Sequence, residues 1–211
     1  MLKVSNNGLS DAQIWSQMKT GSDQAYEQLY DKYFPLLFRY GLQFCPERAI
    51  VKDCLQDFFV DLYVRRANLS EVQQVKNYLY VSFRHRIIRK ACGKQLLLEP
   101  ISNNYHFEVT FSHEHALINE QLDDIRQRRL LNAFNKLSSR QKEAIFLRFY
   151  ENMSYDEIAE IMKMKKVKSA RTLVYRAIAV LKDCIKDLDG SLTLYSAFPL
   201  LLLFRYPESL K

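Results

Sequence analysis

Apolar residues recur at helical spacing along most of this chain, separated by short polar breaks. Ser10 and Gln13 have capping-box spacing and predict a helix to about Lys19, ended by Gly21-Ser22-Asp23. Ala25, Leu29, Phe34, Leu37, Phe38 and Leu42 then predict a long helix over 24–43, with Pro35 as a point of kinking. Its aromatics, Tyr26, Tyr30, Tyr33, Phe34, Phe38 and Tyr40, are expected to form a core and its rim. After Cys45-Pro46-Glu47, the residues Ile50, Cys54, Leu55, Phe58, Phe59 and Leu62 predict a helix over 49–66. Ser70 and Gln73 repeat the capping-box spacing and predict a helix running to about Cys92. From 97 to about 118 the periodicity dissolves into loop signals such as Glu99-Pro100 and Ser102-Asn103-Asn104. Helical spacing returns near Asn119 and leads through Leu122, Ile125, Leu130, Leu131 and Phe134 to Leu137. Two further capping boxes, Ser138 with Gln141 and Ser154 with Glu157, open the next two helices.

The stretch SYDEIAEIMKMKKVKSARTLVYRAIAVLK, from Ser154 to Lys182, reads as a helix-turn-helix. Ile158, Ile161 and Met162 mark its first helix, and residues 163–167 interrupt the period. A second helix begins near Lys168, with Ala170, Leu173, Val174, Ala177 and Leu181 as its buried stripe. The expected fold is all-α, with two small helical domains joined by a linker. The boundaries are 10–95, linker 96–120, a four-helix unit with the helix-turn-helix at 121–186, and an apolar C-terminal extension at 187–211.

The chain has 211 residues and a net charge of +7, which favours an anionic partner. From Lys136 to Lys186, twelve basic residues stand against six acidic ones. The four cysteines, Cys45, Cys54, Cys92 and Cys184, form no CxxC pair, so no zinc ribbon or redox motif is indicated. His113-Glu114-His115 lacks the spacing of a zinc-protease HExxH. No metal site, no cofactor and no catalytic cluster is expected. The N-terminus lacks a signal-peptide core, so a cytoplasmic protein without direct membrane insertion is the expectation. The apolar run Ala197 to Phe204 is too short to span a bilayer. It is expected to fold back on the chain's own domains, with a partner-binding or inhibitory segment as the alternative.

Three faces carry candidate chemistry. Lys165, Lys166, Lys168, Ser169, Arg171, Thr172, Tyr175 and Arg176 give the second helix of the helix-turn-helix a cationic, hydrogen-bonding exterior suited to the major groove. Tyr78, Tyr80, Phe83, Arg84, His85, Arg86, Arg89 and Lys90 interleave aromatics with cations in a run without acids. Rings that stack on bases beside cations that follow phosphates suit single-stranded nucleic acid. Asp53, Asp57 and Asp61, with Gln56, form an acidic stripe that suggests a cationic protein partner. The alternative there is a solvated face with Asp61 paired to Arg65.

The segments AYEQLYDKYFPLLFRYGLQFCPERAIVKDCLQDFFVDLYVRR and VKNYLYVSFRHRIIRK resemble the first domain of extracytoplasmic-function (ECF) sigma factors, small bacterial transcription initiation factors. KLSSRQKEAIFLRFYENMSYDEIAEIM and VKSARTLVYRAIAVLK resemble the second. The resemblance covers most of residues 10–185. It implies that 10–95 is sigma domain two, binding core RNA polymerase and the −10 element, and that 121–186 is sigma domain four, binding the −35 element. It implies core polymerase and promoter DNA as partners, an anti-sigma factor as a further candidate partner, and no enzymatic activity. On it, Asp53, Gln56, Asp57 and Asp61 dock on polymerase, Tyr78 to Lys90 meet the −10 element, and Lys168 to Arg176 read the −35 element. Lys163 stands where the family has a turn glycine, and His85 where many members have Asn. The rival function is a helix-turn-helix transcriptional regulator that does not join the polymerase.

Overall fold

A computed structural model describes residues 9–91, 105–109 and 132–185. The chain divides into two compact units, residues 1–105 and 106–211. Every regular element among the described residues is helical. The C-terminal extension, the histidine pair at 113 and 115 and residues 119–131 of the helix expected from Asn119 to Leu137 lie outside the described residues, while its end at 132–135 is helical.

In the first unit, α1 (Asp11–Lys19) opens on the expected capping box. The Ser10 hydroxyl accepts from the Gln13 amide, and the Gln13 side chain accepts from the Ser10 amide. Two orphan donors of the first turn are thereby satisfied. The helix α2 (Asp23–Leu42) continues through Pro35, whose ring is exposed. Helix α3 spans Arg48–Val64 and α4 spans Val75–Ala91. The aromatics of α2 divide as expected: Tyr33, Phe38 and Tyr40 are buried, while Tyr26, Tyr30 and Phe34 are half-buried against Phe59.

Two features lock these helices together. Trp15 is fully buried, and its indole N–H donates to the Ser70 carbonyl at 3.0 Å. Asp11 accepts from both Lys32 and the Tyr33 hydroxyl, each at 2.5 Å. Burial alone would raise the Asp11 carboxyl, but these hydrogen bonds and the charges of Lys32 and Lys76 outweigh it, so it sits below the usual carboxylate value. Burial, reinforced by the bond to Asp11, pushes the Tyr33 phenol up. Cys54 is a buried free thiol, pushed up to about 11 chiefly by desolvation, so it stays protonated.

The start of α4 corrects one expectation. Ser70 is not its cap; the helix begins five residues later, at Val75. The Ser70 carbonyl is taken by Trp15, and Glu71 is drawn to Lys19 at 2.6 Å. With these tertiary partners, residues 70–72 form no helical turn where a local capping box would have started one.

In the second unit, α5 (Ser139–Ile145), α6 (Tyr155–Ile161) and α7 (Val167–Ile185) form around a shared core, with α7 packed on both α5 and α6. The capping boxes at Ser138 and Ser154 are both present. Ala133, Phe134, Leu137, Leu147, Ile158, Ile161, Val174 and Leu181 are buried together with the two small residues Ala170 and Ala177. A π-helical turn at Phe146–Tyr150 follows α5 and was not legible from spacing. Residues of the expected linker have definite places: Tyr105 packs on Phe44 of the first unit, and Phe107 packs on Phe146 of the second.

At Gly41 two side chains come close to the backbone of α2. A Cβ there would meet Val51 Cγ1 at 2.6 Å and the Phe83 ring at 3.1 Å. Gly41→Ala is expected to destabilise the protein by about 1–3 kcal/mol through overpacking. Urea unfolding followed by the fluorescence of Trp15, the chain's single tryptophan, would register the loss.

Candidate nucleic-acid interface

The outer face of α7 is open. Its buried stripe of Ala170, Val174, Ala177 and Leu181 leaves Lys168, Ser169, Arg171, Tyr175 and Arg176 exposed, with Thr172 half-buried. Lys165 and Lys166, in the turn before it, are exposed as well. All eight residues expected to meet the −35 element therefore lie on the turn or the outer side of one helix. Thr172 donates its hydroxyl to the Lys168 carbonyl at 2.8 Å, so reading a base through that hydrogen would require breaking a helical back-bond.

The turn before α7 is built without glycine. Helix α6 ends in a Schellman arrangement: the Met164 amide donates to the Ala159 carbonyl at 2.7 Å and the Lys163 amide to the Glu160 carbonyl at 3.1 Å. That geometry puts Lys163 in the left-handed region, with φ of 50°. The position favours glycine because a Cβ there crowds the following carbonyl. The turn keeps its shape and the lysine takes the strain. A cation thereby stands beside Lys165 and Lys166.

In the first unit, the basic-aromatic helix is less open than its composition suggests. Arg89 and Lys90 are exposed, and Tyr78, His85 and Arg86 are half-buried. Tyr78 meets Trp15 edge-on at 5.1 Å. Three residues expected on that surface lie elsewhere. Tyr80 and Phe83 have no exposed area and pack on Tyr40 and Phe58. Arg84 is 4 % exposed, its guanidinium 4.9 Å from the Tyr105 ring centroid. The reason is spacing: Tyr80, Phe83, Arg84 and Ile87 share one stripe, and α4 turns it inward beside Leu79 and Ile88. Neither Tyr80 nor Phe83 can stack on a base while this core is intact.

The acidic stripe of α3 is solvent-facing at Asp53, Gln56 and Asp57 and half-buried at Asp61. Asp61 does not pair with Arg65, which caps the end of α3. It pairs across to Arg86 of α4, and Asp57 lies 3.6 Å from Lys90. Residues assigned to two different partners are thus ion-paired with each other. Sequence reasoning missed the apolar part of this face: Val60 and Val64 are 58 % and 70 % exposed, and Ile50, expected on the buried face of α3, is exposed as well. Their signal was available, since Val60 and Val64 are four apart and off the buried stripe.

Among the described residues no group of His, Cys, Asp and Glu could hold a metal ion, and no helix is long and apolar enough to cross a membrane. His106 is exposed, with Glu108 at 3.6 Å.

The second unit is thus a helix-turn-helix whose second helix has an open cationic face, and the first is a helical unit with an acidic-apolar face on α3. Residues 127–181 match the family model described as Sigma-70, region 4. The chain is 22% identical over 183 residues to the ECF RNA polymerase sigma factor BldN of Streptomyces coelicolor, covering 83% of this chain and 66% of that protein. It is 24% identical over 163 residues to the RNA polymerase sigma factor YlaC of Bacillus subtilis, covering 76% of this chain and 92% of that protein. Its fold is similar to that of CnrH, solved in complex with the cytosolic domain of CnrY. The TM-score is 0.58 and the identity 19%, over 85% of this chain and 99% of CnrH. The chain thus carries a Sigma-70 region 4 match in its second unit and is similar over most of its length to ECF RNA polymerase sigma factors.

Two outcomes follow from this geometry. Lys163→Gly relieves the left-handed strain and is expected to raise stability by about 0.5–1 kcal/mol, measured as the chemical-denaturation midpoint. A double-mutant cycle of Asp61→Asn and Arg86→Gln is expected to return a coupling of about 0.5–1 kcal/mol that shrinks as salt rises, as for other partly exposed pairs.

Proposed function

We propose that this protein is a promoter-specificity subunit: it docks on core RNA polymerase, brings it to particular promoters and leaves the chemistry of transcription to the polymerase. The observation that carries the reading is the open face of α7. Lys168, Arg171 and Arg176 stand exposed opposite a buried apolar stripe, on the helix that a helix-turn-helix inserts into the major groove. Lysines 163, 165 and 166 extend the same positive field to the turn before it. Contacts from these cations to phosphate supply affinity with steep salt dependence, and Arg171 supplies base reading.

The first unit, residues 10–95 by sequence, takes the polymerase and the −10 element. Asp53, Gln56 and Asp57 with Ile50, Val60 and Val64 make a mixed acidic and apolar patch on α3, the composition of a protein-docking face rather than a DNA surface. Arg86, Arg89 and Lys90, with Tyr78 and His85, are the residues of α4 left to meet an opened strand. Stacking by Tyr80 and Phe83 has no part in this reading. CnrH is seen held by the cytosolic domain of another protein, CnrY. An anti-sigma partner for this chain is the corresponding proposal. Residence in the cytoplasm follows from the same role.

The rival, a regulator that never joins polymerase, leaves the α3 patch without a partner. Asp57→Lys is expected to weaken capture of core enzyme, because like charges brought together at an interface cost several kcal/mol, roughly. Equal capture by both proteins would favour the rival. Arg171→Ala is expected to cost about 1–3 kcal/mol on one set of promoter duplexes if it contacts a base. An equal loss on unrelated duplexes would make it a phosphate contact.

A further inference from the structure

We propose that Tyr155 is the positioning residue for Arg171, holding its guanidinium in place for base readout. This rests on the reading of α7 as the helix that meets the −35 element. Tyr155 is the first residue of α6, and its backbone is set by the capping box around it. The Glu157 amide donates to the Ser154 hydroxyl at 3.2 Å and the Ser154 amide to the Glu157 carboxylate at 2.7 Å. The ring it projects is shared by two cations. Arg148 Cζ lies 4.9 Å from the ring centroid and Arg171 Cζ lies 5.3 Å from it, both within cation–π range. Arg148 is itself anchored, donating to the Met153 carbonyl at 2.7 Å from the π-helical turn. Tyr175, one turn beyond Arg171 on α7, approaches the same ring at 6.4 Å.

Arg171 has no carboxylate within ion-pairing distance among the described residues, and its place is set by this ring. The consequence is pre-organisation. An exposed arginine ordinarily samples many rotamers and loses them when it binds; one already resting on a ring loses fewer. The effect falls on base reading rather than on general affinity, because phosphate contacts by Lys165, Lys166 and Lys168 do not pass through the ring. Tyr155 touches no base in this scheme; it acts through Arg171. The π-helical turn has a part here as well, since it carries the Arg148 side chain to the ring from the side of α5.

The test uses the full chain and a duplex selected by the wild-type protein from a randomised library, with a scrambled duplex of equal length as the reference. Tyr155→Leu is expected to lower the ratio of selected to scrambled affinity roughly three- to tenfold, with scrambled binding unchanged. Tyr155→Phe keeps the ring and is expected to keep the ratio. In an Arg171→Ala background, Tyr155→Leu is expected to have no further effect. A ring-current shift of the Arg171 side-chain N–H resonance, present in the wild type and in Tyr155→Phe and absent in Tyr155→Leu, gives a readout independent of DNA. Unchanged ratio in Tyr155→Leu, or the same drop with Arg171 already removed, overturns the proposal. So does the absence of a ring-current shift in the wild type, whether or not the Leu variant folds. If Arg171→Ala itself leaves the ratio unchanged, the reading of α7 fails, a separate result from failure at Tyr155 alone.

Discussion

One helix must be dry on one side and charged on the other, and the second unit depends on how α7 meets that demand. Its inner stripe uses Ala170 and Ala177 beside Val174 and Leu181, so neighbouring helices approach closely without large side chains intervening. Close packing fixes the rotation of α7 about its own axis. The outer residues, Lys168, Arg171, Tyr175 and Arg176, are thereby aimed outward as a set. Rotating the helix by one residue would bury a lysine or an arginine without a partner, which is far more costly than any contact it could gain.

The first unit solves a different problem. It carries an acidic face and a basic one on adjacent helices, and the pairs Asp61 with Arg86 and Asp57 with Lys90 join them. Partly exposed pairs are weak, so a partner that supplies its own charges can exchange with them at little cost. The rigidity comes instead from buried aromatics, from Trp15 bonded to Ser70, and from the close approach at Gly41. A stiff core below weakly paired surface charges is compatible with the docking role proposed for α3.

Strain and capping meet at the turn of the helix-turn-helix. The Schellman bonds from Met164 and Lys163 satisfy carbonyls at the end of α6, and they demand a left-handed residue. The capping box at Ser154 satisfies donors at the other end of the same short helix. A helix of seven residues is too short to be stable alone, so both ends and its packing on α7 hold it.

Local signals were legible wherever the chain's nearest neighbours in sequence are also its nearest neighbours in space. The capping boxes at Ser10, Ser138 and Ser154, the helices they open and the stripe of α7 all follow from spacings of three and four residues. The eight candidate residues of α7 and its turn could be read from the same spacing, because a helix with one apolar stripe has only one outside. The sequence by itself determined these elements and that face. Only the tertiary structure decided the rest. Ser70 has the spacing of a cap, yet Trp15, 55 residues earlier, takes its carbonyl. Tyr80 and Phe83 look free beside their cations, yet α4 packs two adjacent stripes and turns both rings inward. Asp61 has Arg65 one turn away, yet finds Arg86 on the next helix. Each of these outcomes was set by a residue distant in the chain, and periodicity carries no record of what a helix will be packed against.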